Sequence, residues 1–477
     1  MLFNSFIFLI FLGVVLPIFY LLPRKEHKNL FLLLVSYFFY GYWDWRFCFL
    51  LAISTIADFA IGRAIHRSDE TRRRKLLLLT SLSINLGILG FFKYFNFFID
   101  SFETAFSIFG ANFDFLHLNI ILPVGISFYT FQTLSYTLDI YRRKLKPSSN
   151  FIDFALFVAF FPQLVAGPIE RARHLLPQLS VRLHPTREQV SEGVVLIITG
   201  LFMKVMIGDA GGRIADHIFT NPEYYSSLEF LCALLIFSVQ IYADFSGYSN
   251  IARGTAKLLG VDLMRNFAQP YLSANISEFW RRWHISLSSW LRDYLYISLG
   301  GNRKGRGRTF INLMLTMLLG GLWHGANWTF VIWGALHGTY LVIHKLILGD
   351  RKPQIHYTYA GVPGFLNYFV KALLTYILVL LTWLFFRAEN LQQVALFFQM
   401  MAEFTTGDYA VRIITITSTF MIVTLIYDIL QYRFDSDVFL LKLRSRALTT
   451  GILGGLFLTT LLYMFVEEPL PFVYFQF

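Results

Sequence analysis

The sequence predicts an all-α, polytopic membrane protein, and three observations carry the prediction. Of 477 residues, 56% are hydrophobic and only 15% are charged, against about a quarter charged in an ordinary soluble domain. The mean hydropathy is +0.54. Apolar runs approaching the ~20 residues needed to cross roughly 30 Å of hydrocarbon recur from Met1 almost to the last residues.

In chain order, the candidate spans are 1–22, 30–43, 47–62, 76–99, 118–140, 189–208, 228–245, 309–326, 327–345, 370–386, 411–430 and 447–466. That gives about 11–12 transmembrane helices, the shorter ones tilted or re-entrant. The first run, MLFNSFIFLIFLGVVLPIFYLL, has no positive charge until Arg24, so it reads as a retained span and not a secretory signal. Lysine and arginine gather at 24–28, 63–75, 142–146, 171–187, 253–308, 345–352 and 442–446. By the positive-inside rule these segments are cytoplasmic, which puts the acidic or neutral loops 100–115 and 215–229 on the other side and the N-terminus outside.

Two segments do not read as plain spans. Residues 151–179 lie between two basic clusters and are broken by Pro162, Gly167 and Pro168, which predicts a re-entrant or interfacial segment lining a cavity or packed on protein. In 275–308, Ile276, Phe279, Trp283, Leu287, Trp290, Tyr294 and Ile297 recur at three- and four-residue spacing and predict one interfacial helix with an apolar stripe. Arg281, His284, Ser288 and Arg292 form its polar stripe, and Gly300 with Gly301 ends it. No internal repeat or linker divides the chain, so residues 1–477 read as a single integral-membrane domain.

The net charge of +11 sits in short clusters between apolar runs, where topology accounts for it and nucleic-acid binding is not indicated. Cys48 and Cys232 both fall in apolar runs and offer neither a disulfide framework nor zinc spacing.

Ionisable groups at membrane depth cost about 2.5–3.5 kcal/mol on insertion scales and usually serve a purpose. The dense cases are Asp244 in QIYADFSGYSNIARG, His284, and His324 with Asn327 in GGLWHGANWTFVIWGALHG. On one continuous helix, Asn327 and Trp328 would share the face of His324, while Gly320, Gly321, Gly325 and Ala326 leave room for a backbone or an elongated ligand. His324 is thus either a satisfied core histidine or a functional one. His337 and His344 read as packing histidines. No H-E-x-x-H pair indicates a metal and no G-x-S-x-G turn indicates a nucleophile. A general base remains, taking a proton from a hydroxyl as it attacks an acyl group, worth about 100- to 10,000-fold. Asp244 could equally cap a helix end with Ser246, Ser249 and Asn250. Arg281, Arg282 and Arg292 suit either anionic lipid heads or donor phosphates.

These motifs, together with FPQLVAGPIERARHLLPQL, ISEFWRRWHISLSSWLRDYLYISLGGNRKG and the C-terminal EEPLPFVYFQF, resemble the membrane-bound O-acyltransferase superfamily, most closely its bacterial branch. The resemblance implies a helical bundle around a central tunnel, entered by the acyl donor from the cytoplasm and by the acceptor from outside. It implies His324 as general base and His284 as the residue that orients or polarises the acyl group. Arg281, Arg282, Ser288, Arg292, Asn327 and Asp244 are the accompanying substrate-binding candidates. It implies no tightly bound cofactor. Acetyl-CoA is the first choice of donor and an acyl carrier protein thioester the second. The acceptor would be an envelope or exported polysaccharide such as alginate, reached through an extracytoplasmic acetyltransferase partner. The rival readings are a lipid or protein acyltransferase of the same fold and a proton-coupled transporter, which predicts inverted repeats and paired broken helices.

Overall fold

A computed structural model describes residues 1–111, 115–165, 167–349 and 361–475. Among them every regular element is helical, as the composition requires of a chain that must satisfy its backbone polar groups away from water. Eight helices are long and apolar enough to cross a membrane: Phe47–Arg67, Thr71–Ile108, Arg187–Thr220, Ser227–Leu258, Trp328–Leu348, Gly361–Arg387, Ala410–Phe434 and Arg446–Val466. Large apolar side chains such as Leu21, Ile347 and Phe465 stand exposed on the helices, the surface a lipid solvent calls for. The protein is a multi-pass membrane protein.

The chain forms two compact units, Met1–Gly193 with Thr255–Met264, and Val194–Gly254 with Arg265–Phe477. In the first, α1 (Phe6–Leu21), α2 (Lys25–Gly41) and α3 (Phe47–Arg67) precede α4 (Thr71–Leu89), which continues through a π turn into α5 (Phe95–Ile108); α6 (Ile126–Tyr141) follows. Polar side chains join these helices. Asp58 on α3 accepts from Ser81 (2.6 Å) and Asn85 (2.8 Å) of α4, and Ser54 donates to Asn85 (2.7 Å). Segment 151–179 is broken as its prolines and glycine predict: α7 (Phe151–Ala159), the single turn α8 (Phe161–Leu164) and α9 (Ala172–Leu179). Asn150 caps α7, and Asp153 in its first turn takes the Lys25 ammonium (2.7 Å) and the Asn29 amide (2.8 Å) of α2. Residues 153–165 are buried, which is the condition under which broken backbone is tolerated at membrane depth.

The second unit takes in most of α10 (Arg187–Phe202), a π turn at Met203–Asp209, α11 (Ala210–Thr220) and most of α12 (Ser227–Leu258). It continues with α13 (Ile276–Arg282), α14 (Ile285–Trp290), α15 (Gly305–His324), α16 (Trp328–Leu348), α17 (Gly361–Arg387), α18 (Leu391–Glu403), α19 (Ala410–Phe434) and α20 (Arg446–Val466).

The expected single helix over 276–297 is not what forms. It breaks at His284, whose backbone is left-handed (φ 43°, ψ 54°), so the apolar stripe is divided between α13 and α14. Each half is anchored at its own start, and the anchor of the second half imposes the break. Asn275 caps α13 by accepting from Glu278 N (2.9 Å), while Glu278 reaches back to Ala274 N (3.0 Å), a reciprocal arrangement close to a capping box. After the break, Asn266 accepts from Ile285 N through its carbonyl (2.8 Å) and from Ser286 Oγ through its side chain (2.6 Å). Gly300 and Gly301 both have positive φ and end the segment, as their residue type suggests.

Candidate active site

Helices α15 and α16 form a hairpin in which glycines replace side chains at the crossing. A Cβ on Gly321 would lie 2.2 Å from Phe330 O, and one on Gly334 would lie 2.4 Å from Met317 O. The backbones therefore touch, as small-residue helix pairs do in membranes. His324 is the last residue of α15. Gly325 is extended, and Asn327 begins α16 as its cap, accepting from Thr329 N (3.0 Å) and donating to Glu389 O (2.9 Å). Asn327 and Trp328 thus do not share a helical face with His324, because the helix stops between them. Asn before an apolar run is itself a start signal.

His324 is 3% exposed. Its ring centre lies 5.0 Å from those of Trp323 and Trp333, 5.4 Å from those of Phe386 and Tyr474, and 6.4 Å from that of His284. His284 is also fully buried, with Phe245 at 4.7 Å and Tyr474 at 6.4 Å. The two histidines, 40 positions apart in the chain, are brought back together by α14, the Gly300–Gly301 turn and α15. A left-handed histidine costs about 1–2 kcal/mol, and strain of this kind concentrates where a side chain must be aimed. The structure therefore brings the two sequence-predicted catalytic histidines together in an aromatic, water-poor enclosure, with Tyr474 as a third member that the sequence reading missed.

The other candidates fall into two groups. Arg281, Ser288 and Arg292 line a cavity of about 500 Å³ together with Trp280, Tyr296 and Lys345. Ile285, the residue after His284, and Leu291 line it as well. His344 borders this cavity too. Arg282, by contrast, is 3% exposed, pairs with Glu278 (2.8 Å) and donates to Ala268 O (3.1 Å). Asp244 is buried against Lys204 and accepts from Val473 N (2.7 Å). His337 has both ring nitrogens engaged: Trp280 Nε1 donates to Nδ1 (3.3 Å), and Nε2 meets Thr382 Oγ1 (3.0 Å), whose hydroxyl passes on to Val379 O (2.6 Å). It is a packing histidine, as read.

Comparison with known proteins gives the class. The family model for MBOAT, the membrane-bound O-acyltransferase family, matches residues 34–354, and the chain belongs to that family. It is accordingly an acyltransferase, and the transporter reading is not favoured. Among its relatives, the chain is 44% identical over 411 residues to the probable alginate O-acetylase AlgI of Pseudomonas putida, covering 86% of this chain and 81% of that one. It is 37% identical over 390 residues to the peptidoglycan O-acetyltransferase of Helicobacter pylori, covering 76% and 72%. A more distant relative is the teichoic acid D-alanyltransferase of Bacillus subtilis, 29% identical over 243 residues, covering 48% of this chain and 60% of that one.

Proposed function

We propose that the protein moves an acyl group, acetyl in the first instance, from a cytoplasmic thioester across a bacterial inner membrane to a hydroxyl, for O-acetylation of an envelope or exported polysaccharide such as alginate. The observation that carries the reading is the buried pair His284 and His324, ring centres 6.4 Å apart, beside a basic cavity. The names of the relatives support a polysaccharide acceptor; that it is reached through an extracytoplasmic acetyltransferase partner is part of the proposal. The basic clusters support the orientation with the N-terminus outside.

In this reading His324 takes the acceptor's hydroxyl proton as the oxygen attacks the thioester carbonyl. The new C–O bond forms, the C–S bond breaks, and the proton passes from the imidazolium to the departing thiolate. His284 orients the acyl carbonyl. Exclusion of water by the surrounding rings protects the thioester from hydrolysis. Arg281, Arg292 and Lys345 supply the positive charge that the phosphates of acetyl-CoA require, with Ser288 as a further donor and Trp280 and Tyr296 as stacking surfaces. A carrier-protein thioester is the second choice of donor. Arg282 and Asn327 act by holding α13 and α16 in place.

The test compares O-acetyl content across envelope and secreted polysaccharides in cells carrying wild-type protein and His324→Ala at equal membrane abundance. Loss of O-acetyl groups from one polymer identifies the acceptor; unchanged content in all of them refutes the proposal.

A further inference from the structure

The segment after α20 is a strap built into the candidate site. Pro469 and Pro471 prevent it from continuing as helix, and it closes as a single turn, Val473–Phe475. Phe472 is fully buried and packs on Tyr248 (4.9 Å) and Phe245 (5.1 Å) of α12. Tyr474 then lies against both His324 (5.4 Å) and His284 (6.4 Å).

What fixes the strap there is a buried ionic group. Lys204, 1% exposed, meets Asp209 Oδ1 at 2.6 Å, pairs with Asp244, and reaches Pro471 O at 3.5 Å. The second carboxylate oxygen of Asp244 accepts from Val473 N at 2.7 Å. Lysine and aspartate five positions apart would diverge by about 140° on an α-helix, but the π turn Met203–Asp209 brings them to one face. Glycines set the approach of the two helices. A Cβ on Gly247 would lie 2.6 Å from Gly200 O, and one on Gly208 would lie 3.0 Å from Asp244 Cα.

We infer that Asp244 is a positioning residue: Lys204, Asp209 and Asp244 form a latch that holds the C-terminal strap, and with it Tyr474, against His324 and His284. This rests on the acyl-transfer reading of the two histidines. Asp244 acts through the Val473 N–H and not by contact with substrate.

The test uses full-length protein in nanodiscs with Cys48→Ser, Cys232→Ser and Val473→Cys, the new thiol being a reporter of strap position. Asp244→Ala is expected to raise maleimide labelling of that thiol about tenfold or more, the scale of losing a charge-assisted hydrogen bond, and to lower kcat while donor KM stays within about twofold. Asp244→Asn keeps only one acceptor, so its NH2 must face either the Lys204 ammonium or the residue 473 N–H; it is expected to give labelling and kcat between those of wild type and Asp244→Ala. Val473→Pro, tested without the reporter, removes the N–H and leaves the ionic group intact; it is expected to reproduce the loss in kcat, and full activity there overturns the proposal even if Asp244→Ala fails to fold. Continued protection of the thiol in Asp244→Ala, or equal loss in Asn and Ala with the strap still protected, also overturns it. The labelling arm needs no turnover, so absence of acyl transfer in the wild type refutes the proposed function and leaves the latch to be decided by labelling.

Discussion

Gly321→Ala tests whether the α15–α16 crossing sets the position of His324, three residues further along α15. The new methyl would lie 2.2 Å from Phe330 O and 3.2 Å from Gly334 Cα. Restoring an ordinary contact of 3.4 Å to Phe330 O requires opening the crossing by about 1.2 Å, and both near atoms are backbone, so no rotamer change relieves the clash. Two energies oppose each other in stability. Alanine gains about 1 kcal/mol over glycine inside a helix, while overpacking costs about 1–3 kcal/mol, so the net destabilisation is small, roughly 0–2 kcal/mol. Catalysis is more exposed, because misplacing a reacting group by about 1 Å can cost about 100-fold. The expected result is a protein that inserts and purifies as wild type but transfers acyl groups about two orders of magnitude more slowly. Gly307→Ala is the internal control: it lies on the same helix with nothing within 4 Å of its Cβ position, and is expected to be neutral or slightly stabilising. The assay is transfer from acetyl-CoA by purified protein in nanodiscs, beside the thermal midpoint of each variant. Gly321→Ala retaining more than about a third of wild-type rate would refute the reasoning that the crossing positions His324.

Other expectations follow from the same geometry. His324→Ala is expected to lower transfer about 100- to 10,000-fold without loss of insertion; near wild-type transfer by purified protein removes it as the base. Arg281→Gln with Arg292→Gln is expected to raise donor KM several-fold at little change in kcat, measured by varying acetyl-CoA, whereas parallel loss of expression and activity points to lipid anchoring instead. Outside the spans, His174 Nδ1 lies 2.7 Å from Glu170 Oε2, and that hydrogen bond holds the imidazole above its ordinary pKa of 6.5. The pair's stabilisation is therefore present in full below pH 6.5 and disappears as pH rises through the higher folded value. His174→Gln is expected to lower the thermal midpoint slightly at pH 5.5 and not at pH 8.5, an effect kept small by the half-exposed ring; an equal drop at both pH values contradicts the assignment.

How much of this was legible in the sequence depends on which physical signal each feature leaves. Spans announce themselves because twenty apolar residues in a row have few other destinations: eight of the twelve predicted runs fall on helices long and apolar enough to cross a membrane, while 118–140 is helical only from Ile126. The break at His284 leaves almost no trace: Phe279, Trp283 and Leu287 keep helical spacing across it, and one left-handed residue does not disturb a pattern that counts only apolar positions. It is imposed from outside the segment, by Asn266, ten residues before Ile276. The stop at His324 was hidden differently, because Gly325 and Ala326 are tolerated in membrane helices, and only Asn327 signals a new start. Tyr474 lies 150 positions from His324, and no periodicity connects them; the prolines before it reveal a broken segment but not its destination. Both histidines stood out because an imidazole is conspicuous among apolar neighbours. Their partners were overlooked because Tyr474, Trp333 and Phe386 look like every other aromatic residue in a chain with 52 phenylalanines and 25 tyrosines. In a membrane protein the site is therefore visible where it differs from lipid-soluble packing and invisible where it is made of the same material.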